Sequence, residues 1–248
     1  MFTVVAWSAS VDQAALAAIA AVADPHVRIN GNDVIVPTEI ANLVGAYANG
    51  VNITRAQLVS PSLRRLLNPE IAPVDINALP TTPFRFWDLR DDMIKLDGEE
   101  ALDAFTSENG AGATRMNVLT WLADKKIEPV SGDVRTVRVS ATTTLVAFVW
   151  TNGAITFDQS LPAGRYQLVG ARFNSAGLIA YRCVIPGYEW RPGGIGVTVD
   201  SGAEGNIFRQ GNFGVWGEFA HNTPPTIDFL SATADTSETG ELDLIKLA

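Results

Sequence analysis

Leu178-Ile179-Ala180-Tyr181-Arg182-Cys183-Val184-Ile185 is the run whose reading decides the fold class. It is rich in apolar and β-favouring residues and follows a turn signal at Asn174 to Gly177, so it reads as a strand. A strand with water on one face would alternate apolar and polar residues, and this one does not. It is expected to be covered on both faces, by a core on one side and by a second domain or subunit on the other.

Working outward, the same texture fills the rest of the second half. Strands are predicted over 116–123, 134–140, 144–150, 165–174, 178–185, 195–199, 214–219, 226–230 and 242–247. Thr151-Asn152-Gly153, Pro162-Ala163-Gly164 and Pro192-Gly193-Gly194 mark turns between them. Many short strands with regular Gly and Pro punctuation predict a sandwich or a jelly roll.

The first third reads as mixed. A short strand is predicted over Thr3 to Ser8, then a helix from an N-cap at Ser10 to Ala23, stopped by Asp24-Pro25. Asn30-Gly31-Asn32-Asp33 between two β-branched runs signals a hairpin. Thr38 is placed to cap a second helix over 39–48, ended by Asn49-Gly50, with a helical piece over 54–67 after it. Pro69, Pro73, Pro80 and Pro83 then make an extended crossing segment. These features divide the chain into 1–83, a mixed α/β part, and 84–248, a β-sandwich.

Charged residues are 18% of the chain and hydrophobic ones 47%. The charged share is below the roughly 25% usual in soluble domains, which leaves surface that a neighbour could cover. The net charge of −9 disfavours a general nucleic-acid binder, which needs a basic face. Of the cations 14 are Arg and 4 are Lys, and the planar guanidinium suits pairing at interfaces. The longest apolar stretch, 11–23, is shorter than the roughly 20 residues a bilayer requires and contains Asp12 and Gln13. The N-terminus lacks the positive region of a signal peptide.

Reactive chemistry is sparsely signalled. Cys183 is the single cysteine and sits in an apolar run, so it is expected to be a buried structural thiol. His26 and His221 have no His or Cys at ligand spacing and no serine elbow beside them. Gly193-Gly194-Ile195-Gly196 enters a strand and reads as close backbone packing, not as a phosphate loop. Acids gather at Asp88-Leu89-Arg90-Asp91-Asp92 and Asp97-Gly98-Glu99-Glu100, neither in a calcium-loop pattern. They are expected to be solvated or salt-bridged. No catalytic, cofactor-binding or metal site is assigned.

Tyr188-Glu189-Trp190-Arg191-Pro192-Gly193 could form an aromatic platform for a sugar, and two of the acids could serve a glycoside hydrolase. The favoured expectation is a structural protein that is not an enzyme. Its subunit-contact candidates are Arg64, Arg65, Trp190, Arg191 and Trp216, since Trp and Arg anchor protein interfaces.

Several stretches resemble coat proteins of tailless icosahedral viruses, the jelly-roll lineage that includes small bacterial viruses. They are residues 53–65 (ITRAQLVSPSLRR), 161–166 (LPAGRY), 190–193 (WRPG), 213–219 (FGVWGEF), 228–230 (DFL) and 242–245 (LDLI). The resemblance implies a virion protein that packs with copies of itself, as trimers in the double jelly-roll branch, and with other capsid proteins. It implies no cofactor and no strong nucleic-acid binding, and it leaves contact with an internal membrane open. The expected architecture is one C-terminal jelly roll carrying an N-terminal α/β part, with a compact double jelly roll as the alternative.

Overall fold

The computed structural model describes residues 1–75, 85–110, 112–175, 177–196, 207–234 and 238–247. The protein is mainly β, 51% strand and 3% helix, and divides into two compact units. One is Val4–Lys126; the other is Ile127–Ala248 together with Met1–Thr3.

The first unit carries β1 (Phe2–Val11), β2 (Ala17–Ala18), β3 (Ile29–Asn30), β4 (Asp33–Ile35), β5 (Asn42–Gly50), β6 (Ile53–Val59), β7 (Glu70–Ile71), β8 (Val74–Asp75), β9 (Trp87–Asp88), β10 (Ile94–Lys95), β11 (Ala101–Glu108) and β12 (Thr114–Ala123). They form two sheets. One runs β1-β12-β5-β10, with β8 and β9 also on β5; the other runs β3-β4-β11-β6-β7, with β2 also on β11. Trp7 of the first sheet is fully buried and donates its indole N–H to the Asn32 carbonyl, in the β3–β4 turn of the second, at 2.8 Å. Ile40, Leu58, Leu102 and Val118 fill the same core.

The second unit carries β13 (Val134–Ala141), β14 (Thr151–Gly153), β15 (Ile155–Phe157), β16 (Arg165–Asn174), β17 (Leu178–Val184), β18 (Gly193–Ile195), β19 (Gly217–Ala220), β20 (Thr226–Ser231) and β21 (Glu238–Lys246). Its sheets run β15-β13-β21-β16-β19 and β14-β20-β17-β18. Rings join them: Phe173 of one sheet lies 5.1 Å from Tyr181 and 5.2 Å from Phe229 of the other. The Tyr181 hydroxyl donates across the layer to the Ala171 carbonyl. The deciding run is strand β17, buried along both faces up to Val184.

The expected helices do not form. Residues 42–50 are strand β5, hydrogen-bonded to β12 from Met116↔Gly50 to Ala123↔Asn42. Alanine favours a helix only weakly, and a ten-residue helix is marginal alone, so a long partner strand overrides the preference. Gly45 fits this sheet because an added Cβ would strike the Phe86 ring at 2.2 Å. Thr38 opens a single 3₁₀ turn, Thr38–Ile40. Residues 17–22 fold back along β1 and β11, with Val22 N–H bonded to the Ala6 carbonyl, and 54–59 belong to β6. The helix α1 (Pro61–Arg64) is one turn long.

Four further expectations shift. The strand over 144–150 is replaced by an irregular loop in which Phe148 takes φ 59°, a left-handed conformation no strand accepts. The Thr151-Asn152-Gly153 turn is itself strand β14. The strand over 195–199 is instead Gly193–Ile195; residues 197–199, like Pro80 and Pro83, lie outside the described residues. The expected boundary at 83 and 84 falls inside the first unit, since β8 before it and β9 after it both pair with β5.

Candidate interaction surface

The feature built with most care on the outside of the first unit is the turn between β6 and β7. Ser60 caps α1: its side chain accepts from Leu63 N–H at 3.1 Å, and Pro61 follows at the first helical position. The buried carboxylate of Glu100 holds this cap. It accepts from Ser60 Oγ at 3.1 Å, from Ser62 N–H at 3.0 Å and from Ser62 Oγ at 2.9 Å. Leu63 anchors the turn in the core.

Past this anchor the chain points outward. Arg64, Arg65, Leu66 and Leu67 are all exposed, Leu67 to 89%. Leu67 and Asn68 take successive left-handed conformations, φ 61° and 51°. For leucine this costs about 1–2 kcal/mol, a cost that burial of its side chain in the molecule does not offset. Arg65 lies 3.8 Å from Asp97, both side chains mostly solvated, so the pair contributes little.

The other sequence candidates are placed differently. Trp190, Arg191 and Trp216 are 6%, 8% and 4% exposed. Arg191 donates to the Tyr188 and Glu189 carbonyls at 2.7 and 3.0 Å, and Trp216 stacks on Tyr181 and meets Phe2 edge-on. All three side chains are buried, and those of Arg191 and Trp216 have partners within the second unit. Tyr188 is half-buried.

The acidic segments are distributed among arginines and caps. Asp88 is bonded by Arg90 at 2.9 and 2.8 Å; burial opposes ionisation there, but these bonds and the Arg90 charge prevail and lower its pKa. Glu99 pairs with Arg28 at 2.6 Å. Among the described residues no three His, Cys, Asp or Glu side chains gather as metal ligands. Cys183 is fully buried, and burial, with the Asp228 charge second, pushes its thiol pKa up. An open cavity of about 670 Å³ in the second unit is lined by residues such as Val130, Asp133, Gln210 and Asn212, with no aromatic side chain among the described residues of its walls.

Two polar clusters lay beyond the sequence reading. Arg182, fully buried, bonds Asp228 at 3.1 Å and lies 4.1 Å from the centre of the Trp150 ring. Asp103 on β11 faces Asp33 on β4, one step beyond the Leu102↔Val34 pair. Burial first, then the hydrogen bond and charge of Asp33, push the Asp103 pKa up to about 7. Each was legible as an acid in a β-favouring run, but the register that opposes them was not.

This pair sets a pH dependence. Folded Asp103 keeps its proton to about pH 7, whereas an unfolded Asp releases it near pH ~4. Between those values the folded state binds more protons, so stability falls as pH rises through the window and stays reduced above it. Asp103→Asn is expected to flatten that slope and to raise the melting temperature at pH 8 by roughly 2–4 °C, a modest gain because solvent screens the pair. Thermal melts from pH 4 to 8 check it; an unchanged slope contradicts the coupling.

No family model, curated protein or solved structure matches this chain.

Proposed function

We propose that the chain is a double jelly-roll coat-protein subunit, structural and not catalytic, which assembles with copies of itself into an icosahedral shell. The strand order supports this reading more than any other observation. In the first unit, count β1, β4, β5, β6, β7, β10, β11 and β12 as strands one to eight. One sheet then runs one-eight-three-six and the other two-seven-four-five. In the second unit, count β13, β14, β16, β17, β18, β19, β20 and β21. The same two orders recur, with β15 added at an edge. This order supports a jelly-roll reading, since a jelly roll winds eight strands into two sheets, and viral capsids and lectins use that fold.

The outward turn at 64–67 favours the capsid use over the lectin use. It offers two guanidinium groups beside two exposed leucines to a protein neighbour, and arginine is among the favoured interface anchors. The competing carbohydrate module relied on Tyr188 and Trp190, and the burial of Trp190 withdraws one ring from that platform. On this reading the protein resides in the virion, beside other capsid proteins. The test is assembly: sedimentation velocity and negative-stain microscopy of purified protein are expected to yield regular oligomers or shells. A monomer persisting at high concentration overturns the proposal.

A further inference from the structure

The geometry points to a specific contact between copies: the basic, leucine-tipped turn at 64–67 docks on the acidic loop Asp91-Asp92-Met93 of a second copy. This inference rests on the self-assembly proposed above and names the surfaces that would carry it.

The two surfaces are complementary in charge and in texture. The turn presents Arg64 and Arg65 beside Leu66 and Leu67. Among the described residues Arg64 has no ion-pair partner, and Arg65 has only the solvated Asp97 at 3.8 Å. A chain of net charge −9 attracts such a turn from a distance, and the contact point can be narrowed further. Of the exposed large apolar side chains among the described residues, only Met93 has an acid next to it in sequence. Met93 is 41% exposed, Asp92 is exposed and without an ion-pair partner among the described residues, and the Asp91 side chain is 89% exposed while holding Lys126 at 3.0 Å. Two arginines can therefore face two carboxylates while leucine meets a flexible thioether, which moulds to irregular apolar partners.

The surfaces also lie in different places on the unit. The turn joins β6 to β7 of one sheet, whereas the loop joins β9 to β10, both paired with β5 at the rim of the other sheet. A contact between unlike patches that is not made reciprocally is head-to-tail, and such contacts propagate into rings where the rotation closes and into open filaments where it does not.

Reversing the charges tests this. Arg64→Glu/Arg65→Glu and, separately, Asp91→Arg/Asp92→Arg are each expected to weaken association by about 100-fold, since like charges then meet. A one-to-one mixture of the two variants restores complementary contacts in alternation and is expected to recover association between unlike copies, and the chain carrying all four changes is expected to recover assembly. Circular dichroism and thermal melts establish that each variant folds. Should either reversal misfold, Arg64→Gln/Arg65→Gln with a salt titration carries the same expectation of weakened, less salt-sensitive association. Wild-type assembly that every folded variant retains, or a mixture that fails to recover, overturns this contact while leaving self-assembly standing. Wild-type protein that stays monomeric overturns both.

Discussion

Asp228→Ala is expected to destabilise the second unit by about 3–5 kcal/mol, the cost of removing a carboxylate bond from a buried charge. Arg182 is fully buried, its Nε donates to Asp228 Oδ2 at 3.1 Å, and its guanidinium lies against the Trp150 ring. Asn152 also donates to Asp228, at 2.8 Å, so the carboxylate ties β14 and β17 to β20 between them. Without it the guanidinium loses the carboxylate that its Nε bonds, inside a fully buried site. The double change Arg182→Met/Asp228→Leu removes both charges and fills similar space. It is expected to cost clearly less than either single change, because a buried ion pair is often no better than an apolar pair of its size. Denaturant midpoints for the three variants close the cycle, with Trp fluorescence following the ring beside Arg182. Independent, additive losses would contradict the coupling.

Phe173→Ala is expected to cost a similar 3–5 kcal/mol by a different route, the cavity left in a close-packed layer. Phe173 is fully buried and touches rings from the opposite sheet. Its own neighbour on β21 is Gly240, where an added Cβ would lie 2.4 Å from the Phe173 ring. The glycine thus makes room for the phenyl group, and no other side chain at that register position can refill the space. Phe173→Leu retains most of the volume and is expected to cost under about 1.5 kcal/mol. Equal losses for the two variants would show that shape at this position is unimportant.

The second half of the chain was largely legible because its strands are β-branched, aromatic and set off by Gly and Pro. The expected strands at 165–174 and 178–185 match β16 and β17 to within a residue. The first half misled because Ala-rich segments carry a helical preference whatever their partners, and the partner strands β11 and β12 are distant in sequence. Phe148 broke an expected strand through a positive φ that no local pattern announces. Among surface candidates, Arg64 and Arg65 sit where a charged turn would leave them, exposed. The destinations of Arg191 and Trp216 depended on Phe2, Tyr181 and the 188–189 carbonyls, contacts formed only after the chain closes. Glu100 was legible as an acid, but its role as the clasp of the 60–63 cap required knowing that β11 begins beside that turn.

The central seat of β21 has a consequence for biosynthesis. This strand, ending at Lys246, lies between β13 and β16, so two non-adjacent strands wait for it. A ribosome that has released residues up to about 126 has delivered nearly everything the first unit needs, and that unit can close early. The second stays open, its β13 and β16 edges bare, until residue 246 clears the exit tunnel. Nascent chains stalled before that point are therefore the ones most exposed to mispairing with each other and most in need of chaperone cover.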